Sequence, residues 1–333
     1  MLILNESVLQ DILRMSEVIA AVEAGFRSLA QGLVSMPERL RLIIPNSDAV
    51  MLEMPAYSRS PGPTGSHTSG GALGTKIVSV FERNREHNLD VVQSVYILLD
   101  AETGVPISVM DGKFITAIRT AATSAAATKL MATRGPKDLA IFGAGTQARS
   151  HVDAMMEVAQ VRRVMIASRT PEKASALADY VGKRFSTACD VVSAEEAASG
   201  ANLICTCTSS PTPLFGGEIL RPSTHINAVG AHTPTTRELD TEAIRRARVI
   251  IDSELAAGRE AGEILIPLSD GSIKASHIKG TLADVISGKV PGRELNDEIT
   301  VFRSCGLAIE DLVTARLAFE KARAGGVGFE AAF

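Results

Sequence analysis

From Ser16 onward, apolar residues recur at three- and four-residue spacing: Ile19, Val22, Phe26, Leu29 and Leu33. That is the period of a helix with one buried face. Ahead of it, Ser7-Val8-Leu9-Gln10 fits an S-x-x-Q capping box. The first thirty residues therefore read as helical, with Gly32 and Pro37 as stop signals. The texture then changes. β-type runs at 49–54, 73–80, 91–99 and 105–110 are separated by turn signals at Asp48 and Glu102-Thr103-Gly104. Residues 58–71, SRSPGPTGSHTSGG, have the composition of a mobile surface loop. This pattern predicts an α+β unit with a mostly antiparallel sheet.

After a turn at Asp111-Gly112, a helix rich in Ala and Thr is expected from Phe114 until Gly135-Pro136 ends it. From Lys137 the pattern alternates. Strands are predicted at 138–142, 163–167, 189–192, 202–206, 225–229 and 249–252, with helices between most of them, notably 146–158 and 171–181. Strand, helix, strand at this spacing implies right-handed crossovers and a doubly wound parallel α/β sheet. Residues 305–324 close the pattern as one more helix, with Leu307, Ile309, Leu312, Val313, Leu317 and Phe319 as its apolar positions.

Composition narrows the function. The 333 residues carry 34 Lys and Arg against 38 Asp and Glu, a formal charge of -4, so no global attraction to nucleic acid or anionic lipid is expected. Aromatics are only 4% and Trp is absent, which argues against stacking platforms for single strands. No apolar run approaches a bilayer-spanning length. The opening MLILNESVLQD, with Glu6 and Asp11, does not read as a signal peptide. Cys189, Cys205, Cys207 and Cys305 form no C-x-x-C pair and read as small hydrophobes in a reducing cytoplasm, Cys205 and Cys207 on one face of a strand. No metal site is expected, since the histidines are scattered and H-E-x-x-H is absent.

The strongest local signal is LAIFGAGTQA, residues 139–148. An apolar strand runs into G-x-G-x-x-A and then a helix. Gly143 permits the tight turn, Gly145 lets backbone approach a pyrophosphate, and Ala148 lets helix and strand pack closely. Thr146 and Gln147 open the helix, whose N-terminus favours an anion. The next strand ends in Ser168-Arg169-Thr170, where an NAD-type site places an acid about 20 residues past the glycines. With no carboxylate to repel a 2′-phosphate and a guanidinium to pair with it, NADP(H) is preferred and NAD(H) remains possible. A merely solvent-facing Arg169 is the alternative. Ligands in such folds sit beyond the strands' carboxyl ends, which brings in Thr208-Ser209 and the loop Gly230-Ala231-His232-Thr233-Pro234. His232 is placed as a proton donor or substrate contact, or equally as a loop residue bonded to backbone. Arg39, Lys76 and Arg119 are cations with apolar neighbours. Each is costly to bury unless paired or working on a ligand, and a structural ion pair is the commoner explanation for any one of them.

The tracts RTAATSA (119–125), FGAGTQARSH, HINAVGAHTPTTRELD and DEITVFRSCGLAIED, with MPERLRLIIP, LGTKIVSVF and LLDAETGVP, resemble the ornithine cyclodeaminase/μ-crystallin family over nearly the whole chain. The resemblance implies a homodimer. It implies a substrate and dimerisation domain at 1–116 with 308–333, and a Rossmann dinucleotide domain at 117–307. Carried over by motif, Arg39, Lys76 and Arg119 would bind a substrate carboxylate, and Glu53 would stand near the substrate amine or imine. Gly143, Gly145, Thr146 and Gln147 would hold the pyrophosphate. Val301 and Ser304-Cys305-Gly306 would lie near the nicotinamide, and Val229 would bind the cofactor. His232 stands where the cyclodeaminases carry an Asp, and the acid after the second strand is missing. Both departures favour an NAD(P)H-dependent reductase of a cyclic imino acid, Δ1-pyrroline-2-carboxylate to L-proline or its six-membered homologue. Lys76, Glu53 and His232 are then the catalytic candidates. Ornithine cyclodeaminase, alanine dehydrogenase and a non-catalytic dinucleotide-regulated binding protein are the alternatives.

Overall fold

The computed structural model describes residues 1–45, 47, 49–59 and 71–332. The turn expected at Asp48 and residues 60–70 of the expected loop lie outside the described residues. The chain divides into two compact units, residues 1–120 with 307–333, and residues 121–306. The sequence reading draws these limits at 116/117 and 307/308.

The first unit begins with β1 (Leu2–Leu4), α1 (Glu6–Ile12) and α2 (Met15–Ala30). The expected N-terminal helix is thus broken, because Leu13 and Arg14 are extended. The capping box is corrected too: Asn5, not Ser7, caps α1, its side chain accepting from the Val8 N–H at 3.0 Å. The sheet continues with β2 (Val34–Ser35), β3 (Leu40–Ile44), β4 (Ala49–Ser58), β5 (Ala72–Phe81), β6 (Val92–Leu99) and β7 (Pro106–Asp111). Its order is β16-β1-β7-β6-β5-β4-β2, with β3 also on β4, where β16 is Phe329–Glu330. Only β1 and β7 run parallel. β1, β2 and β16 span two or three residues, too few for a period to show. β3, LRLII, lacks strict alternation.

The helix α3 (Gly112–Met131) follows β7, and Asp111 accepts from the Phe114 N–H at 2.8 Å at its start. Ile115, Ala117, Ile118, Ala121, Ala122, Ala125, Ala126 and Ala127 are all buried. Small side chains on every side explain why this helix shows no apolar stripe. The unit is completed by α11 (Ala308–Gly325), which packs on α2 and on β4 and β5.

The second unit is a parallel sheet in the order β10-β9-β8-β11-β12-β15-β13-β14. Its strands are β8 (Lys137–Phe142), β9 (Val161–Ala167), β10 (Ala188–Val191), β11 (Leu203–Thr206), β12 (His225–Ala228), β13 (Ala247–Ile251), β14 (Ile278–Thr281) and β15 (Ile299–Arg303). The helices α4 (Thr146–Val158), α5 (Pro171–Phe185), α6 (Ala194–Gly200), α7 (Thr241–Arg246), α8 (Glu254–Glu260), α9 (Gly262–Ser269) and α10 (Leu282–Ile286) complete it. This is a doubly wound Rossmann-type sheet. Every residue of β8, β11, β12, β13 and β15 is buried, as a central parallel strand requires. β14 and β15 were not expected from sequence. β15 inserts between β12 and β13, a neighbour relation that chain order hides. Among the described residues no helix is long and apolar enough to cross a membrane.

Candidate functional site

In the second unit, β8 delivers the chain into the turn at Gly143. Gly143 has φ +101°, and a Cβ there would stand 2.6 Å from the Cys207 carbonyl oxygen, so conformation and space both demand glycine. Its N–H donates to the Ala167 carbonyl at 2.9 Å, tying the turn to the end of β9. Gly145 is extended and begins α4 with no side-chain cap. Nothing lies within 4 Å of where its Cβ would be. The amino end of a thirteen-residue helix thus opens onto space that a phosphate can enter. Thr146 is exposed, Gln147 half-buried, and Ala148 buried against the sheet. These residues fit a dinucleotide pyrophosphate.

Behind the turn, His151 on α4 is buried. Its Nδ1 lies 2.8 Å from the Gln147 carbonyl oxygen and its Nε2 2.9 Å from Ser124 Oγ. The neutral tautomer satisfies both contacts, with Nδ1–H donating to the carbonyl and Nε2 accepting from the hydroxyl. Burial holds its pKa down at about 4.

At the end of β9, Ser168 is half-buried, while Arg169 and Thr170 are exposed. The Thr170 N–H donates to Ser168 Oγ at 3.3 Å. No carboxylate stands at these three positions. Beyond β11, Thr208 is half-buried and Ser209 exposed; beyond β12, Val229 is buried and His232 exposed. Ser304, just past β15, is buried with its hydroxyl unpartnered, at the carboxyl end of a strand that lies beside β12. Register aligns Val301 with Ile226 and Val249, and it is buried in the apolar core of the sheet.

The sequence reading did not anticipate Glu238, Glu263 or Arg303, all fully buried. Arg303 Nε pairs with Glu263 at 2.8 Å, and Glu263 also accepts from the Glu238 N–H at 2.9 Å. The Glu238 carboxylate in turn holds the loops after β11 and β12.

The first unit carries a second buried charged cluster. Lys76 on β5 pairs with Asp311 on α11 at 2.8 Å. Arg119 on α3 pairs with Asp311 at 2.8 Å through Nε and with Glu310 at 2.6 Å through Nη1. Two cations and two acids, all nearly sealed from solvent, form one neutral group. Burial lowers the Lys76 pKa to about 8, only partly opposed by Asp311. Burial also works against the Arg119 charge, but Asp311 and Glu310 more than offset it, and its pKa ends raised. Tyr96 on β6, in register with Lys76, is buried, its hydroxyl unpartnered and its pKa pushed up by burial and by Asp311.

Strand register sorts the remaining candidates. Opposed residues of an antiparallel pair share a face. Lys76 opposes Met54, whereas Glu53 opposes Ile77 and Leu40. Glu53 therefore projects from the face away from Lys76, where Thr75 Oγ1 lies 3.4 Å from its carboxylate. The structure brings Lys76 and Arg119 together and does not bring Glu53 to them. Arg39 is half-buried in the segment leading into β3. Arg41, which the sequence reading passed over, opposes Leu52 and shares the face of Lys76. No alternation in LRLII marks it; only the register of β3 on β4 does. Among the described residues, no group of three His, Cys, Asp or Glu side chains could hold a metal ion. The four thiols are free, Cys207 standing just past β11, which Cys205 occupies.

A model of the ornithine cyclodeaminase/mu-crystallin family matches residues 1–326. The chain is 36% identical over 330 residues to the Δ1-pyrroline-2-carboxylate reductase of Bacillus cereus (strain ZK / E33L), covering 98% of each. The structure is similar to that of Thermococcus litoralis Δ1-pyrroline-2-carboxylate reductase in complex with NADH and L-proline, with a TM-score of 0.94 and 37% identity over 99% of this chain and 100% of that one. It is also similar to an archaeal alanine dehydrogenase dimer with bound NAD, with a TM-score of 0.91 and 32% identity over 100% and 99% of the two chains. With the glycine turn, the parallel sheet and the match along nearly its whole length, the chain belongs to the ornithine cyclodeaminase/mu-crystallin family.

Proposed function

We propose that this protein reduces a cyclic imino acid with a reduced nicotinamide dinucleotide, converting Δ1-pyrroline-2-carboxylate to L-proline, with the six-membered homologue as a second substrate. The observation that carries this reading is the buried pair of cations, Lys76 and Arg119, fixed by acids from one turn of α11. A cation pair on a rigid helix–strand scaffold suits a small carboxylate, which it grips by charge-assisted hydrogen bonds. In this reading Arg39, half-buried in the segment before β3, supplies a third cation to the carboxylate, and Arg41 shares the face of Lys76.

The dinucleotide, when bound, supplies a hydride to C2 of the C=N bond. Gly143, Gly145, Thr146 and Gln147 hold its pyrophosphate at the amino end of α4, and the loops bearing Thr208, Ser209 and Ser304 line its crevice. The imine nitrogen must carry a proton for C2 to accept the hydride, since the C=N electron pair then settles on nitrogen. Lys76, with a pKa of about 8, holds an exchangeable proton at neutral pH on the side of the carboxylate. His232 on the loop after β12 is the second candidate donor. Glu53, facing the other way, is left with a supporting role on its own face of the sheet.

Arg169 favours NADP(H), with NAD(H) also accepted, since nothing acidic at 168–170 opposes a 2′-phosphate. The protein acts as a homodimer: β3 exposes Leu40, Leu42 and Ile43, apolar side chains that a second copy would cover. Light scattering should find a particle of twice the chain mass.

Following the loss of reduced nicotinamide absorbance tests the reaction itself. NADPH and NADH are each offered with pyrroline-2-carboxylate, piperideine-2-carboxylate, or pyruvate plus ammonia, with ornithine alone as a control. Turnover of the cyclic imines is expected. Turnover confined to pyruvate plus ammonia would replace this reading with alanine dehydrogenase, the activity of the similar archaeal dimer.

A further inference from the structure

Glu238 lies in the segment between β12 and α7, has no exposed surface, and is not among the groups that contact substrate or dinucleotide in the reading above. Its two carboxylate oxygens divide four donors between them. Oε1 accepts from the Thr208 N–H and the Thr208 hydroxyl, each at 2.7 Å. Oε2 accepts from the Thr206 hydroxyl and the Gly230 N–H, each at 2.7 Å. One oxygen thus holds the loop after β11, and the other joins the end of β11 to the loop after β12. The two loops touch at this point: a Cβ at Gly230 would stand 2.0 Å from the Thr208 carbonyl oxygen. The charge is balanced at one remove. Glu263 accepts from the Glu238 N–H and pairs with Arg303, which also donates to the carbonyls of Ala228, Ala231 and Ser304.

We infer that Glu238 is a positioning residue that locks the loops after β11 and β12 in the arrangement required to receive the nicotinamide half of the dinucleotide. The inference rests on the functional reading above. Its physical content is the donor pattern. Each oxygen meets one backbone N–H, so each must be an acceptor. A carboxylate meets that demand, and a carboxamide of the same shape does not, because its NH2 must confront either the Thr208 or the Gly230 N–H.

Glu238→Gln is therefore the informative variant, and Thr206→Val, which removes one hydroxyl donor and leaves both backbone contacts, is the milder one. Amide exchange is measured first, without ligand. In Glu238→Gln the Thr208 and Gly230 amides should exchange at least tenfold faster, with β8 amides unchanged. Unaltered exchange at both would overturn the clamp. Isothermal titration with NADPH and with NADH is measured next. Affinity should fall about tenfold in Glu238→Gln and about threefold in Thr206→Val. In turnover, the KM for the dinucleotide should rise by the same factors, while the KM for the imino acid at saturating dinucleotide stays within twofold. Faster exchange with unchanged affinity and KM would overturn the positioning role. If the native protein binds neither dinucleotide, the functional reading falls and the cofactor role of Glu238 falls with it. If the native protein binds a dinucleotide and Glu238→Gln binds it equally well, only the inference falls.

Discussion

The two units bury charge in opposite ways. In the first, Lys76 and Arg119 meet Asp311 and Glu310 side chain to side chain, and like numbers of cations and acids neutralise one another. In the second, one cation, Arg303, pairs with one acid, Glu263, and Glu238 is satisfied by hydroxyls and backbone N–H groups rather than by a cation. A cluster of the first kind balances its charges side chain against side chain. A network of the second kind fixes loops, since main-chain donors cannot be moved without moving the chain. In the function proposed above, the first unit serves anion recognition and the network of the second serves loop geometry.

The sharpest way to break this division is Lys76→Met, which keeps the stem and removes the ammonium. Losing one partner of a buried charge contact costs about 2–5 kcal/mol, so kcat/KM for the imino acid should fall roughly 30-fold or more. Dinucleotide affinity, read by titration, should be unchanged. Equal losses in both would mean that the cluster does not serve the substrate alone.

Acid should separate the units next. The second unit holds His151 and His225 neutral, with pKa values lowered by burial to about 4 and about 3. The one histidine among the first unit's described residues, His87, is exposed. Between pH 6.5 and 4 the unfolded chain binds protons that native His151 refuses, so stability falls as pH falls through that window. The loss from His151 reaches about 3 kcal/mol near pH 4. His151→Gln should lose most of its disadvantage in urea unfolding between pH 7 and pH 4.5. A constant gap between the two proteins would show that His151 titrates normally.

What was legible in the sequence follows the same line. The turn at Gly143 is written in ten consecutive residues, and strand, turn and helix form there as read. Lys76 and Arg119 were visible as cations out of place, yet their acids were not, because Asp311 lies 235 residues from Lys76 and only the packing of α11 on β5 joins them. Glu238, Glu263 and Arg303 were invisible for a related reason. Their contacts depend on β12 lying beside β11 on one side and β15 on the other, neighbour relations set by topology. Glu53 shows what motif likeness leaves out, which is parity: a shift of one residue along β4 reverses the face.

The titration of Lys76 tests the first unit from the other side of neutrality. Its pKa of about 8 means that the ammonium is lost as pH rises through that value. A carboxylate anchor that depends on this charge weakens in the same range. Log kcat/KM for the imino acid should therefore bend near pH 8 and fall by about tenfold per pH unit above it. In Lys76→Arg, whose cation does not titrate in this range, the bend should vanish. A bend that persists would move the titrating group elsewhere, with His232→Asn as the control for the loop after β12.

The smallest expected effect concerns dinucleotide choice, and it belongs wholly to the second unit. Arg169 is exposed, so a contact with a 2′-phosphate would be made in water and screened by salt. Arg169→Ala should therefore lower the preference for NADPH over NADH by about tenfold or less, with the imino-acid KM unmoved. Raising ionic strength should shrink the native protein's preference toward that of the variant. Preference that is indifferent to both salt and substitution would place the discrimination on Ser168 and Thr170, whose Oγ and N–H already share a hydrogen bond at the end of β9.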